Sequence, residues 1–167
     1  MTKRYRKLRP DHAYDPDVRR LDDRAHRIWM YLLCPCADDM GRLLIDTDDI
    51  LAAVYPLQRE VTIVDIEAAL LTICGQTLLK IYQNGSGQLL GEIDPVKWKH
   101  IAEVERSGYV KQSILPARTD KNTIQHPSVE HLRNASRTLS RYSATLPLKL
   151  NKVNKENKLR RRDKSLS

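Results

Sequence analysis

Two apolar runs, Leu78-Leu79-Lys80-Ile81-Tyr82-Gln83 and Gln88-Leu89-Leu90-Gly91-Glu92-Ile93, flank the loop Asn84-Gly85-Ser86-Gly87. No other feature of the chain narrows its fold so far. Apolar runs on either side of an Asn-Gly loop predict an antiparallel hairpin. Everything upstream reads as helix, apart from one short strand. Asp22 and Asp23 supply an N-cap and first-turn carboxylates, which suit a helix dipole. Ala25, Ile28, Trp29, Leu32 and Leu33 follow at helical spacing, and together they predict a first helix over about 22–33. Pro35 is expected to end it.

Asp38-Asp39-Met40-Gly41 is a turn signal, and Arg42-Leu43-Leu44-Ile45 then reads as a short strand. Asp46 or Thr47 caps a second helix, with Asp48 and Asp49 in its first turn. Its buried stripe is Ile50, Leu51 and Val54, and Pro56 stops it. Thr62 and Asp65 form a capping-box pattern with Asp in the usual Glu place. Ile63, Ile66, Leu70 and Ile73 continue a third helix over 62–74, with Gly75 as its C′ residue. After the hairpin, Asp94-Pro95 opens a short helix through Trp98, Ile101 and Val104 that ends near Gly108. A weak helical stripe also runs over 128–139 (Val129, Leu132, Ala135, Leu139).

The order helix, strand, helix, helix, hairpin is that of a winged helix, an α+β fold that is mainly helical. The alternative reading is a small α+β domain of another arrangement. The predicted organisation is a basic arm over 1–20, the winged-helix domain over 21–117, and a basic, largely disordered tail over 118–167.

Charge separates along the same boundaries. The chain holds 29 Lys and Arg against 21 Asp and Glu, a net +8. Residues 1–20 carry +4, residues 21–117 carry −5, and residues 118–167 carry +9. No apolar run of about 18 residues occurs, so no transmembrane helix is expected. No apolar stretch follows the basic N-terminus, so no secretory signal is expected either. The spacing of Cys34 and Cys36 does not fit a zinc knuckle, and together with Cys74 they read as free, buried thiols in a reducing cytosol.

The stretch from Tyr5 to Ile101 resembles the N-terminal winged-helix domains of phage replication initiator and replisome-organiser proteins. The resemblance rests on Arg20-Leu21-Asp22-Asp23-Arg24-Ala25-His26-Arg27-Ile28-Trp29-Met30-Tyr31-Leu32-Leu33 and on Cys36-Ala37-Asp38-Asp39-Met40-Gly41-Arg42-Leu43. It continues in Val96-Lys97-Trp98-Lys99-His100 and Ser113-Ile114-Leu115-Pro116. It implies binding of double-stranded DNA at a replication origin and recruitment of host replication proteins. Such proteins usually carry a further C-terminal domain. With the remaining residues this polar, no helicase-loading domain is expected.

Base reading in the major groove uses Arg, Lys, Asn or Gln. The third helix is the expected recognition helix, and its outward positions are Thr62, Asp65, Glu67, Ala68, Leu71 and Thr72. None is basic, and duplex phosphates repel its two carboxylates. The candidate phosphate contacts are therefore elsewhere. They comprise the loop Asn84, Gly85, Ser86 and Gly87, the cations Lys80, Lys97 and Lys99, and His100. The basic ends add Arg4, Arg6 and Lys7 on one side and Arg160, Arg161 and Arg162 on the other. Basic arms bind phosphate without reading sequence.

Enzyme motifs are missing: there is no G-x-x-x-x-G-K-[ST] loop, no G-x-S-x-G elbow and no H-E-x-x-H pair. No catalytic residues, metal or cofactor are expected. The leading expectation is a non-enzymatic DNA-binding protein of replication initiation. The alternatives are a protein-interaction module that docks a partner or another copy of itself, and a transcriptional regulator.

Overall fold

The computed structural model describes residues 7–98, 101–102, 113 and 115–134. Strand β1 (Lys7–Leu8) leads through two 3-10 turns, Pro10–Tyr14 and Val18–Arg20, into helix α1 (Asp23–Tyr31). The Asp22 carboxylate caps α1 by accepting the Ala25 N–H at 2.7 Å, satisfying one of the orphan donors of the first turn. Ala25, Ile28, Trp29, Leu32 and Leu33 are fully buried, so the expected stripe is the core face.

Pro35 does not stop this helix at 33. The chain widens into a π turn over Leu32–Cys36 with Pro35 inside it, and the Ala37 N–H closes on the Leu32 carbonyl at 3.0 Å. Proline lacks a donor and crowds the carbonyl four residues back. The longer hydrogen-bond step of a π turn accommodates both.

Strand β2 (Arg42–Leu44) precedes helix α2 (Thr47–Val54). The Asp46 carboxylate accepts the N–H groups of Asp48 and Asp49 at 3.0 and 3.2 Å, so Asp46, rather than Thr47, is the cap. Helix α3 (Ile63–Gly75) opens where the Asp65 carboxylate accepts the Thr62 N–H at 2.8 Å and the Thr62 hydroxyl at 2.7 Å.

The end of α3 differs from expectation. Gly75 stays helical, and the residue with left-handed backbone is Thr77, at φ 58°. The Leu78 N–H reaches the Ile73 carbonyl at 3.3 Å and the Thr77 N–H reaches that of Cys74 at 2.9 Å, a Schellman arrangement. Ending at Gly75 would set polar Gln76 opposite Leu71. Ending at Thr77 sets Leu78 against Ile73, and both are fully buried. This apolar contact outweighs the preference for glycine. A β-branched residue in this region costs roughly 1–2 kcal/mol, part of which the unfolded-state entropy of glycine returns. Thr77→Gly is therefore expected to stabilise by about 1 kcal/mol and raise the midpoint of thermal unfolding by about 4 °C, as followed by circular dichroism.

Strands β3 (Leu79–Gln83) and β4 (Leu89–Ile93) form the expected hairpin. The Gly87 N–H bonds to the Asn84 carbonyl at 3.0 Å and the Asn84 N–H to the Gln88 carbonyl at 3.1 Å. Gly87 takes φ +81°, as a three-residue turn with a left-handed glycine requires. The antiparallel sheet runs β2-β4-β3, with Leu43 opposite Gly91 and Gly91 opposite Ile81. Helix α4 (Pro95–Trp98) starts at Asp94, whose carboxylate accepts the Val96 N–H at 2.9 Å. It does not extend through Ile101. Strand β5 (Ile101–Ala102) follows and pairs antiparallel with β1, because the β1 backbone offers hydrogen bonds that a single helical turn cannot match. The expected continuation through Val104 to Gly108 lies outside the described residues.

Residues 118–134, expected in the tail, pack on the domain instead. The Gln83 N–H bonds to the Asn122 carbonyl at 3.0 Å and the Ile124 N–H to the Ile81 carbonyl at 2.9 Å. Tyr82 donates its hydroxyl to the Pro116 carbonyl at 2.8 Å. Composition misleads here because the segment is held by backbone bonding to an open strand edge more than by apolar burial. Residues 129–134 are helical and Leu132 enters the core. The rest of the stripe expected over 128–139, and the tail beyond it, lie outside the described residues. The fold is α+β, and no helix among the described residues is long and apolar enough to cross a membrane.

Candidate functional site

The expected outward face of α3 is only partly outward. Thr62 and Ala68 are exposed, while Asp65, Leu71 and Thr72 are half-buried. Glu67 is fully buried, contrary to expectation. The Arg133 Nε donates to its two carboxylate oxygens at 3.1 and 3.2 Å. Helical periodicity could not reveal this, because the covering residue is 66 positions away. Asp65 is held below the usual carboxylate range by its hydrogen bonds from the Thr62 hydroxyl and N–H, and Arg24 adds to the effect.

Over α2, α3 and the turn between them, exposed apolar residues stand beside exposed Asp48, Asp49, Gln58, Arg59, Glu60 and Thr62. Val64 is 57% and Leu57 is 91% exposed, with Ala52, Ala53, Pro56 and Ile63 also at the surface. Sequence reasoning missed this surface, although the signal was present. The α3 stretch Ile63-Val64-Asp65-Ile66-Glu67-Ala68-Ala69-Leu70-Leu71 carries more apolar residues than one helical face can bury. An apolar groove of about 300 Å³ runs along α2 from its first turn into the turn before α3. Tyr55 in its wall is fixed by its hydroxyl, which donates to the Arg24 carbonyl at 3.4 Å, and by the Arg27 guanidinium 5.3 Å from its ring centre.

The hairpin loop turns its donors inward. Asn84 Oδ1 accepts the Ser86 N–H at 3.1 Å, the Ser86 hydroxyl at 2.8 Å and the Gln88 N–H at 2.8 Å. Gly85 and Ser86 are exposed, and Asn84 and Gly87 are half-buried. Lys80 is exposed on β3 opposite Glu92.

Lys97 is drawn into the fold. Its Nζ lies 2.8 and 2.6 Å from the two Asp15 carboxylate oxygens and 2.8 Å from Asp17. Burial acts to raise the Asp15 pKa, but the Lys97 ammonium and the Asp17 and Val18 N–H groups outweigh it and hold the carboxyl below its ordinary value. Burial acts to lower that of Lys97, and the two carboxylates more than reverse it. Both partners therefore stay charged, and the pair clamps the N-terminal 3-10 turns to α4.

Of the arm residues, Lys7 lies in β1 opposite Ala102. Arg4, Arg6, Lys99, His100, Arg160, Arg161 and Arg162 lie outside the described residues. Arg118 is bound to Glu92 at 2.8 Å. Burial pushes the Cys74 thiol up to about 12. Among the described residues no three His, Cys, Asp or Glu side chains group as a metal site.

Three separated stretches, around Asp38–Arg42, Trp98 and Ser113–Leu115, meet in space. The Asp38 carboxylate accepts the Met40 and Arg42 N–H groups at 2.8 and 2.9 Å, and also the Ser113 hydroxyl. Arg42 Nη1 donates to the Leu115 carbonyl at 3.2 Å, and Trp98 Nε1 to the Asp39 carbonyl at 3.3 Å. No family model, curated protein or solved structure matches the chain.

Proposed function

We propose that this chain is a non-enzymatic, DNA-binding winged-helix protein of phage or prophage type, acting in replication initiation. In this reading its basic ends hold the duplex and its folded domain orients them. The order α1-β2-α2-α3-β3-β4, closed by a β2-β4-β3 sheet, supports the winged-helix assignment. The junction of Asp38, Arg42, Trp98 and Ser113 supports the family resemblance, since three stretches far apart in sequence build one turn.

The observation that carries the reading is where cations remain for phosphate. Within the domain Arg24, Lys97, Arg118 and Arg133 are each paired with a carboxylate, which leaves scattered exposed cations such as Arg59 and Lys80. Residues 135–167 carry ten basic and two acidic side chains. A duplex contacted at about six phosphates gives a log–log salt slope of roughly −5. Replacing Arg160, Arg161 and Arg162 by Gln in the full chain is expected to reduce that slope by about 3, and to weaken binding alike on unrelated duplex sequences. A salt-titrated anisotropy assay reads both quantities. A full chain that fails to bind duplex at low salt overturns the proposal.

A second reading, in which the domain is a protein-docking module and DNA contact is secondary, is favoured by the apolar outer face of α2 and α3. Transcriptional control suits the same fold, because fold does not set function. A helicase loader encoded beside this gene would favour replication.

A further inference from the structure

We infer that the α2–α3 turn is a self-association surface. In the proposed dimer Leu57 of each copy enters the apolar groove of the other across a two-fold axis. This does not rest on the DNA-binding reading.

Leu57 is the most exposed large apolar side chain among the described residues, at 91%. It stands beside the groove without lining it, whereas Leu51, Tyr55 and Val61 do line it. A knob is thus set next to a hole on one surface. An apolar cavity of about 150 Å³ takes up a benzene ring, so a groove of about 300 Å³ has room for a leucine side chain. Val64 and Ile63 extend the apolar area on the α3 side.

The charges of the groove identify the occupant. Asp48 lies in the first turn of α2 and Arg59 in the turn beyond its C-terminus, and both line the groove. Both are exposed, and neither forms an ion pair among the described residues. A groove with an acid from one end of α2, a base from the other and apolar walls between is complementary to its own two-fold copy. In an isologous interface a residue that meets a second residue of the partner is met in return by that same pair reversed. Arg59 of each copy then faces Asp48 of the other, and Leu57 is buried twice. A duplex phosphate has no use for Leu57 or Asp48, and an unrelated partner has no need of a surface that complements itself.

The test is sedimentation of the full chain over roughly two decades of concentration, without DNA. The expected result is a concentration-dependent shift from the 19.3 kDa chain to twice that mass. Leu57→Asp is expected to weaken the dimer at least about 30-fold. Because Leu57 is exposed, its thermal unfolding in dilute solution should match that of the parent chain. Arg59→Asp alone and Asp48→Arg alone should each be monomeric. An equimolar mixture of those two variants should dimerise, since every facing pair is again of opposite sign. A chain that stays monomeric throughout overturns the inference and leaves the groove to a different partner. A dimer untouched by Leu57→Asp, or single variants that do not rescue each other on mixing, overturns it as well.

Discussion

Arg133→Ala should destabilise the protein by about 2–3 kcal/mol and lower its thermal midpoint by about 10 °C. The Glu67 side chain is 1% exposed and that of Arg133 is 51% exposed. Losing the guanidinium strands a carboxylate inside the fold. Removing one partner of a fully buried pair costs about 3–5 kcal/mol. A cost at or just below the bottom of that range is expected here, because water can follow where the half-exposed Arg133 leaves. Adding Glu67→Leu to Arg133→Ala should return most of the loss, since no charge is then left inside. Hydrogen exchange supplies a local readout. The Ile124 N–H, bonded to the Ile81 carbonyl at 2.9 Å, should lose protection before the amides of α1. If Arg133→Ala shifts stability by less than about 0.5 kcal/mol, the pair does not anchor residues 118–134.

Gly91→Val should cost about 3 kcal/mol and Gly91→Ala about 1 kcal/mol. Gly91 sits in β4, the central strand of the sheet. A Cβ there would lie 2.9 Å from Leu79 Cδ1, 3.1 Å from Ile45 Cδ1 and 3.4 Å from Leu43 Cγ. The ends of Leu79 and Ile45 can yield to one methyl group. Valine adds two more into a core packed from both neighbouring strands. Gly75→Ala is the control: nothing lies within 4 Å of its Cβ position, and helical alanine is favoured over glycine by up to about 1 kcal/mol. Chemical denaturation of the three variants should therefore give opposite signs at the two glycines. Equal destabilisation at both would mean that the crowding at Gly91 is not what holds it.

The parts of the molecule legible in its sequence are those decided within about four residues. Asp22, Asp46 and the Thr62–Asp65 pair act on N–H groups next to them, and the hairpin loop is built from its own Asn and Gly. The apolar stripe of α1 also read correctly, because one helix buries one face. What escaped depends on distant partners. Lys97 looked like a phosphate contact by composition, but Asp15, 82 positions away in sequence, pairs with it. Glu67 looked exposed until Arg133 covered it. Gly75 looked like the C′ residue of α3, but burying Leu78 beside Ile73 moved that position to Thr77. Pairing of β1 with β5 left no periodic signature in two-residue strands. At the candidate site the surplus of apolar residues over 63–71 signalled an exposed apolar face on α3, but assigning one buried face to the helix left that surplus unread.

The backbone bonds from Asn122 and Ile124 to β3 also set a lower limit on the length of a self-sufficient unit. A chain cut near 117, where the sequence suggests a boundary, keeps every strand of the sheet but bares the outer side of β3, with its Gln83 amide and Ile81 carbonyl free to recruit a strand from a neighbour. A piece that shields this edge must run past Ile124. The polar stretch after Pro116 is thus a selvedge, finishing an edge that would otherwise fray into its neighbours.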